Sequence, residues 1–140
     1  MDVIAFLHGR LAEDLPLAAL LASYRGEPSV FGDRVPPDAE PPWILLEGPL
    51  SEEAEDARGL RLRRLELRLR CLDRAGAGGG RLQAVAARVR ALLHEWELVA
   101  GGGLLLAQVC SGPLAEAAEE GFLQRRFDVS LLCNELGEEA

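Results

Sequence analysis

The feature that most constrains the fold is residues 60–73, where leucine alternates with charged residues. The alternation slips by one residue at Arg63 and Arg64 and then continues on the other parity. A period of two is typical of a strand with one buried face. A one-residue slip would turn the later side chains to the wrong face. We therefore predict a β-bulge at Arg63-Arg64, which would keep Leu62 and Leu65 on the same inward face.

Helical patterns flank this strand. Asp2 and Asp14 are suited to cap an N-terminal helical pair, and Gly26 is suited to end its second member. Apolar residues recur with the helical period over residues 81–96, which predicts one central helix. Further strands are predicted from short apolar or alternating runs at residues 43–47, 98–99, 104–111 and 122–134.

The connections at residues 48–59 and 112–121 are charged and have no period, so they are predicted to be loops. The chain is expected to form one domain over residues 1–140, structured from 3 to 134, with a solvated tail at 135–140. The predicted fold class is α+β: a mostly antiparallel sheet of about four strands, packed with the N-terminal helical pair and the central helix.

Charge and composition exclude several classes of function. The net charge of −8 argues against general affinity for nucleic acid, although all 15 basic residues other than histidine are arginine. The three cysteines have no paired spacing, which indicates free thiols in a reducing compartment. The apolar N-terminal residues are interrupted by charges, so neither a signal peptide nor a membrane span is expected.

No catalytic, cofactor or metal site is predicted. The glycine-rich residues 75–80 lie between a strand and a helix, but the chain has no lysine for a Walker A loop. Arg81 stands where a dinucleotide fingerprint needs glycine, so a flexible linker is favoured. Cys71, Cys133 and His94 could be partial zinc ligands, but without paired spacing buried thiols are favoured.

Two oppositely charged segments are the candidate interaction residues. The arginines at 61, 63, 64, 68 and 70 could follow phosphates, but the acidic total favours pairing with carboxylates of this chain or of a neighbour. The acidic connection could reach such a partner. The predicted interaction residues are Glu52, Glu53, Glu55, Asp56, Arg61, Arg63, Arg68 and Arg70.

The order of motifs resembles a known family. An N-terminal helical pair is followed by Gly-Asp-Arg-Val at 32–35, Pro-Pro-Trp-Ile-Leu-Leu at 41–46, an acidic connection, the long alternating strand, a helix and Arg-Arg-Phe-Asp-Val at 125–129. This arrangement resembles the tail-completion, or tail-terminator, family of long-tailed phages and of phage-derived gene transfer agents. The resemblance spans residues 3–134, and the glycine-rich linker departs from it.

The resemblance implies a structural protein without enzymatic activity. Such a protein is expected to form a homohexameric ring on the head-proximal end of the tail tube, where it binds the tail tube protein and the head–tail connector protein. DNA would pass through the lumen without specific binding. The particle, a virion or a gene transfer agent, would be assembled in the bacterial cytoplasm.

Two alternatives stay open. One is another neck or head–tail joining component of the same kind of particle. The other is a small ligand-binding α+β domain that uses the loop between Gly76 and Gly80.

Overall fold

A computed structural model describes residues 2–57, 60–100 and 103–136. It confirms the α+β class. Three α-helices lie against one face of a six-stranded sheet, and a two-stranded sheet lies beside it. The helix-covered side is called the inner face below, and the opposite side the outer face.

The N-terminal helical pair forms as predicted. α1 (Val3–Ala12) and α2 (Leu15–Leu20) begin after Asp2 and Asp14, whose carboxylates accept hydrogen bonds from amides of the first turn. α2 ends at Leu20, whereas the sequence analysis extended this helix to Gly26. Gly26 instead lies in the turn of the two-stranded sheet, at φ 85°. A positive φ costs glycine little, so this residue is suited to the turn.

The eight strands belong to two sheets. They are β1 (Ser23–Tyr24), β2 (Glu27–Pro28), β3 (Val30–Gly32), β4 (Trp43–Ala57), β5 (Leu60–Arg74), β6 (Trp96–Ala100), β7 (Gly103–Glu116) and β8 (Phe122–Leu136). β1 and β2 pair with each other, and the other strands follow the order β3-β4-β5-β8-β7-β6. β3 runs parallel to β4, and all other pairs are antiparallel. The expectation of about four strands was therefore too small, and the large sheet is mixed.

Both predicted charged loops are partly strand. β4 continues to Ala57 and β7 to Glu116, although neither extension has an apolar period. The reason is physical: these extensions hydrogen-bond to neighbouring strands where no helix covers them, so neither face requires apolar residues. Residues 58 and 59, between β4 and β5, lie outside the described part of the chain.

The predicted β-bulge at Arg63-Arg64 is wrong. β5 pairs residue for residue with β4 and with β8 across these positions. Leu62 therefore lies on the outer face, while Leu65 is buried on the inner face. The helical layer ends near Leu65, and Arg61 beyond it is exposed. Because the inner face needs no apolar residues there, the leucines change parity without any slip of the backbone.

The irregularities lie instead in the two neighbouring strands, each at a Gly-Pro pair. In β4, residues 48–50 face the single residue Leu67, and in β7 the register shifts around residues 110–113. Gly112 has φ 114°, and a Cβ placed on it would lie 2.5 Å from the carbonyl oxygen of Arg126. Only glycine fits such a position, and proline inside a sheet is typical of bulges.

The core lies between the inner face and the helices. α3 (Gly80–Leu93) buries an apolar stripe against β5, β7 and β8, which confirms the predicted central helix with a slightly earlier end. The inner face contributes alternate residues of the long strands. Its largest fully buried side chains are Ile44, Leu65, Leu67, Leu69, Leu105, Phe127 and Leu131.

Two further segments were predicted to be irregular. Residues Ala75–Ala77 of the glycine-rich linker form a 3₁₀ turn, and Gly79 caps α3. β8 includes residues 135 and 136 of the predicted tail, and residues 137–140 lie outside the described part. Among the helices of the described residues, none has the length and apolarity that crossing a membrane requires.

Candidate interaction surface

The outer face of the large sheet is the surface on which function can be sought, because no helix covers it. Its side chains come from the even-numbered positions of β5 and β8 and from their paired residues. Along the strands the surface divides into two halves with different chemistry. One half holds a network of ion pairs, and the other holds leucines and unpaired charges.

The first half is called the ion network here and consists of Glu47, Arg68, Arg70, Glu116, Arg126 and Asp128. Arg70 Nε donates to Glu116 Oε1 at 2.8 Å, and Arg70 also contacts Glu47. Arg126 donates to the other oxygen of Glu116 at 3.0 Å. Arg68 and Arg126 lie 3.3 and 3.7 Å from Asp128. The members are only 21–34% exposed, and three arginines balance three carboxylates.

The pKa directions agree with full ionisation of the network. The hydrogen bond from Arg70 lowers the pKa of Glu116. Burial alone would raise the pKa of Asp128, but hydrogen bonds from Ser111 and Arg68 outweigh it, so this pKa is also lowered. The pKa of Arg70 is raised by its hydrogen bond to Glu116. The network is thus charged at neutral pH and neutralised within the chain.

Arg68 and Arg70 were predicted to contact a partner, and the structure places both inside this network. Their guanidinium groups are already hydrogen-bonded to carboxylates of β4, β7 and β8. Less of their charge is therefore left for another molecule.

The other predicted interaction residues lie at one end of the sheet. Residues 50–57 of β4 pair there with residues 60–64 of β5, and these two segments are called the arm here. The β5 segment of the arm also pairs with residues 132–136 of β8. On one face of the arm, Arg63 donates to Glu52 at 2.5 Å and Arg61 lies 3.4 Å from Asp56. The acidic segment is thus a strand that folds back onto its own arginines.

The opposite face of the arm is less neutralised. Glu53 is exposed and stands across from Arg64 in the register of the two strands. Glu55 stands across from Leu62, and its side chain lies outside the described part of the structure. The structure therefore gathers the predicted interaction residues in two places: four acids and Arg61 and Arg63 on the arm, and Arg68 and Arg70 in the ion network.

The second half of the outer face is apolar. Leu132 of β8 lies beside Leu106 of β7, and Leu104 of β7 lies beside Val99 of β6, which is 77% exposed. Leu62 of β5 is level with Leu104 and is separated from it by Asn134. We call the four leucines and Val99 the apolar band. The apolar band was not predicted from the sequence, because Leu62 was assigned to the core and the other four residues were not assigned to either face of the sheet.

A groove of about 570 Å³ borders the apolar band. Leu106 and Leu132 are among its lining residues, with Arg64 of β5 and Glu97 of β6. In the described part of the chain Arg64 makes no ion pair, unlike the arginines of the ion network. This half of the outer face therefore combines exposed apolar surface with charge that the subunit does not neutralise, as interaction sites often do.

An ion pair joins the residues on either side of the glycine-rich linker. The buried carboxylate of Asp73 precedes it and pairs with Arg81 at 2.7 and 2.8 Å. Burial alone would raise the pKa of Asp73, but the hydrogen bonds from Arg81 outweigh it, so this pKa is lowered. The pair ties the start of α3 to the end of β5, which is a structural role.

The candidate zinc ligands are buried or hydrogen-bonded within the chain. Burial raises the pKa of the Cys71 thiol to about 12, and Cys133 is likewise buried. His94 Nδ1 accepts a hydrogen bond from the Val109 amide at 3.3 Å. Over residues 2–57, 60–100 and 103–136, no three histidine, cysteine or acidic side chains are grouped as metal ligands would be.

Comparison with known proteins finds a matching family model and a similar solved structure. The family model described as tail completion protein gp17 matches residues 5–129. A chain in the structure titled "Virion of native gene transfer agent (GTA) particle" has the same fold, with a TM-score of 0.67 and 24% sequence identity. That match covers 94% of this chain and 92% of the other. No curated protein matches this sequence.

The family match extends over most of the chain, from α1 to the middle of β8. It agrees with the family resemblance found in the sequence, and its range contains Pro41-Pro42 before β4 and the Arg-Arg-Phe-Asp-Val run of β8. The chain therefore belongs to the tail completion protein gp17 family, and its role is that of a structural component in the tail of a phage-type particle.

Proposed function

We propose that the protein terminates the tail tube as a homohexameric ring. The ring binds the head-proximal end of the tube, stops its growth and offers a second surface to the head–tail connector. DNA passes through the lumen without being bound specifically. The observation that carries this proposal is the family match over residues 5–129, and the acidic composition is consistent with it. An acidic lumen repels DNA and lets it slide.

The arm is the proposed contact element. Its acidic strand lies at an edge of the described sheet and is exposed from Glu52 to Ala54. Each subunit of a ring offers different faces to its two neighbours and a further face to the tube. We assign Glu52, Glu53, Glu55 and Asp56 to contact with a partner, which is the next subunit, the tube end or the lumen side of the ring, with Arg61 and Arg63 holding two of them in place.

Negative-stain imaging of the purified protein, alone and mixed with tail tubes, tests this function. We expect closed rings of uniform diameter, and a ring at one end of each capped tube. Particles that remain single subunits and leave tube ends bare would contradict the proposal. A ring that binds isolated connectors but never tubes would instead favour another neck component.

A substitution of the four arm carboxylates tests the contact element separately. Changing Glu52, Glu53, Glu55 and Asp56 together to Ser should weaken tube capping and remove much of its salt dependence. Each exposed ion pair contributes only about 0–1 kcal/mol, so the thermal midpoint of the subunit should barely move. Capping equal to the parent's at every salt concentration would show that these carboxylates do not contact the tube.

A further inference from the structure

We infer that neighbouring copies join their sheets, with β6 of one copy hydrogen-bonding along the arm of the next. This inference rests on the proposed ring and names the surface that would build it. Its starting point is the strand order, in which β6 and β3 are the outermost strands. β6 therefore presents one complete edge of unpaired amides and carbonyls among the described strands.

The opposite side of the sheet is open only along the arm. β3 pairs with residues 44–46 of β4, and among the strands of the described chain none pairs with residues 50–57 on that side. The irregularity at residues 48–50 separates the covered part from the open part. An uncovered edge of this length is uncommon, because it invites pairing with another chain. β6 of another copy has only five residues, so it can lie along residues 50–57 without overlapping the part of β4 that β3 covers.

The two open edges lie at the same height. When the registers are followed across the sheet, Trp96 of β6 is level with Glu52 of β4, and Val99 is level with Glu55. Four antiparallel pairings separate the two strands, so β6 and β4 run in the same direction. Rotation about a ring axis preserves strand direction. A copy placed beside another would therefore bring β6 against the arm as a parallel pair.

Charge selects the register of this pair. Glu97 and Val99 are exposed on the outer face of β6, and Ser51 and Glu53 on that of the arm. Like charges directly opposite each other are destabilising. A shift of two residues sets Glu97 beside Ser51 and Val99 beside Glu53, which keeps the carboxylates apart. Closing a sheet into a barrel requires a stagger of this kind.

The partner implied is thus a second copy. Head-to-tail contacts close into a ring when the rotation between copies is right, and they form filaments when it is not. In such a ring the exposed Val99, at the end of the apolar band, lies against the next subunit's arm. The helices that cover the inner face take no part in this contact between copies.

Disulfide cross-linking tests the predicted neighbours. The exposed Cys110 is first replaced by Ser. The double variant Val99→Cys with Glu53→Cys is then oxidised, and the mass of the products is read on a denaturing gel. Within one subunit the two positions are separated by four strand spacings of roughly 4.8 Å, too far for a disulfide. We expect a ladder of covalent oligomers that ends at the mass of the ring. Glu97→Cys with Ser51→Cys is a second pair in the same register.

The matched control is Val99→Cys with Glu52→Cys. Glu52 neighbours Glu53 in sequence but points to the other face, so this pair should stay monomeric on the denaturing gel. Native mass spectrometry of each unoxidised variant shows whether the ring is present. If the ring is intact but neither outer-face pair cross-links above the control, the inferred edge contact is wrong and the ring proposal survives. If the parent itself forms no ring, both are wrong.

Discussion

The two halves of the outer face are built on the same four long strands, yet they differ in how far their charged side chains are paired within the subunit. In the ion network every arginine reaches a carboxylate of a neighbouring strand, and the members are mostly covered. Around the apolar band, leucines are half-exposed and Arg64 has no ion pair within the described residues. The subunit therefore neutralises the surface of the ion network by itself and leaves the surface around the apolar band for another molecule.

The largest effect is expected on the inner face, which gives the reference for a completed surface. Leu67 is 1% exposed, so Leu67→Ala should lower the free energy of unfolding by about 2–5 kcal/mol. Leu62→Ala, on the same strand in the apolar band, should cost much less because Leu62 is only half-buried. Urea denaturation of both variants measures the contrast. Equal losses would mean that the apolar band is part of the core.

The ion network should be sensitive to the loss of one charge. Glu116 accepts hydrogen bonds from Arg70 and Arg126, so Glu116→Gln leaves both half-buried guanidinium groups short of a carboxylate. We expect a loss of about 1–3 kcal/mol in the free energy of unfolding. Glu97→Gln in the other half should change it by less than about 0.5 kcal/mol. The comparison fails if both substitutions cost the same.

The same carboxylate gives a pH signature. The pKa of Glu116 is lowered from its ordinary value of 4.5 in the folded state, so its contribution is present above pH 4.5 and is lost as the pH falls through the folded-state pKa. The difference in unfolding free energy between the parent and Glu116→Gln should therefore shrink below pH 4.5. Denaturation midpoints measured from pH 6 to pH 3 test this. A constant difference would show that Glu116 is not held by its charge.

These contrasts also show what the sequence could predict. The central strand, the helix caps at Asp2 and Asp14, the central helix and the family were all found from residue patterns. Periodicity works where one face is covered, as it is from Leu65 onward. It failed on the arm, where neither face has an apolar stripe and the strands are held by backbone pairing and by ion pairs of Arg61 and Arg63.

The candidate surface was predicted in part. The charged residues of the arm were identified, but the sequence analysis placed Glu116 in a solvated loop and so missed the ion network. That network depends on how four strands are aligned side by side, which no local sequence pattern contains. The Gly-Pro pairs at 48–49 and 112–113 were the missed signal, since proline within a strand is typical of a bulge rather than of its end.

The smallest effect on stability, with a large one on assembly, is expected at the rim of the apolar band. Val99 is 77% exposed, so Val99→Ser should leave the unfolding free energy of the subunit nearly unchanged. Sedimentation of the same variant should show weaker oligomers, because the apolar surface that assembly buries is reduced. Gln124→Ser, beside the ion network, is the control and should assemble as the parent does.

Hydrogen exchange of the subunit, before and after assembly on tail tubes, tests most directly whether the open half of the sheet is the assembly surface. We expect new amide protection in β6 and in residues 50–57. Residues 43–47 and 122–128 should change little, because they are already paired on both sides or lie beside the ion network. Protection that appears around the ion network while β6 and the arm exchange as before would contradict this expectation.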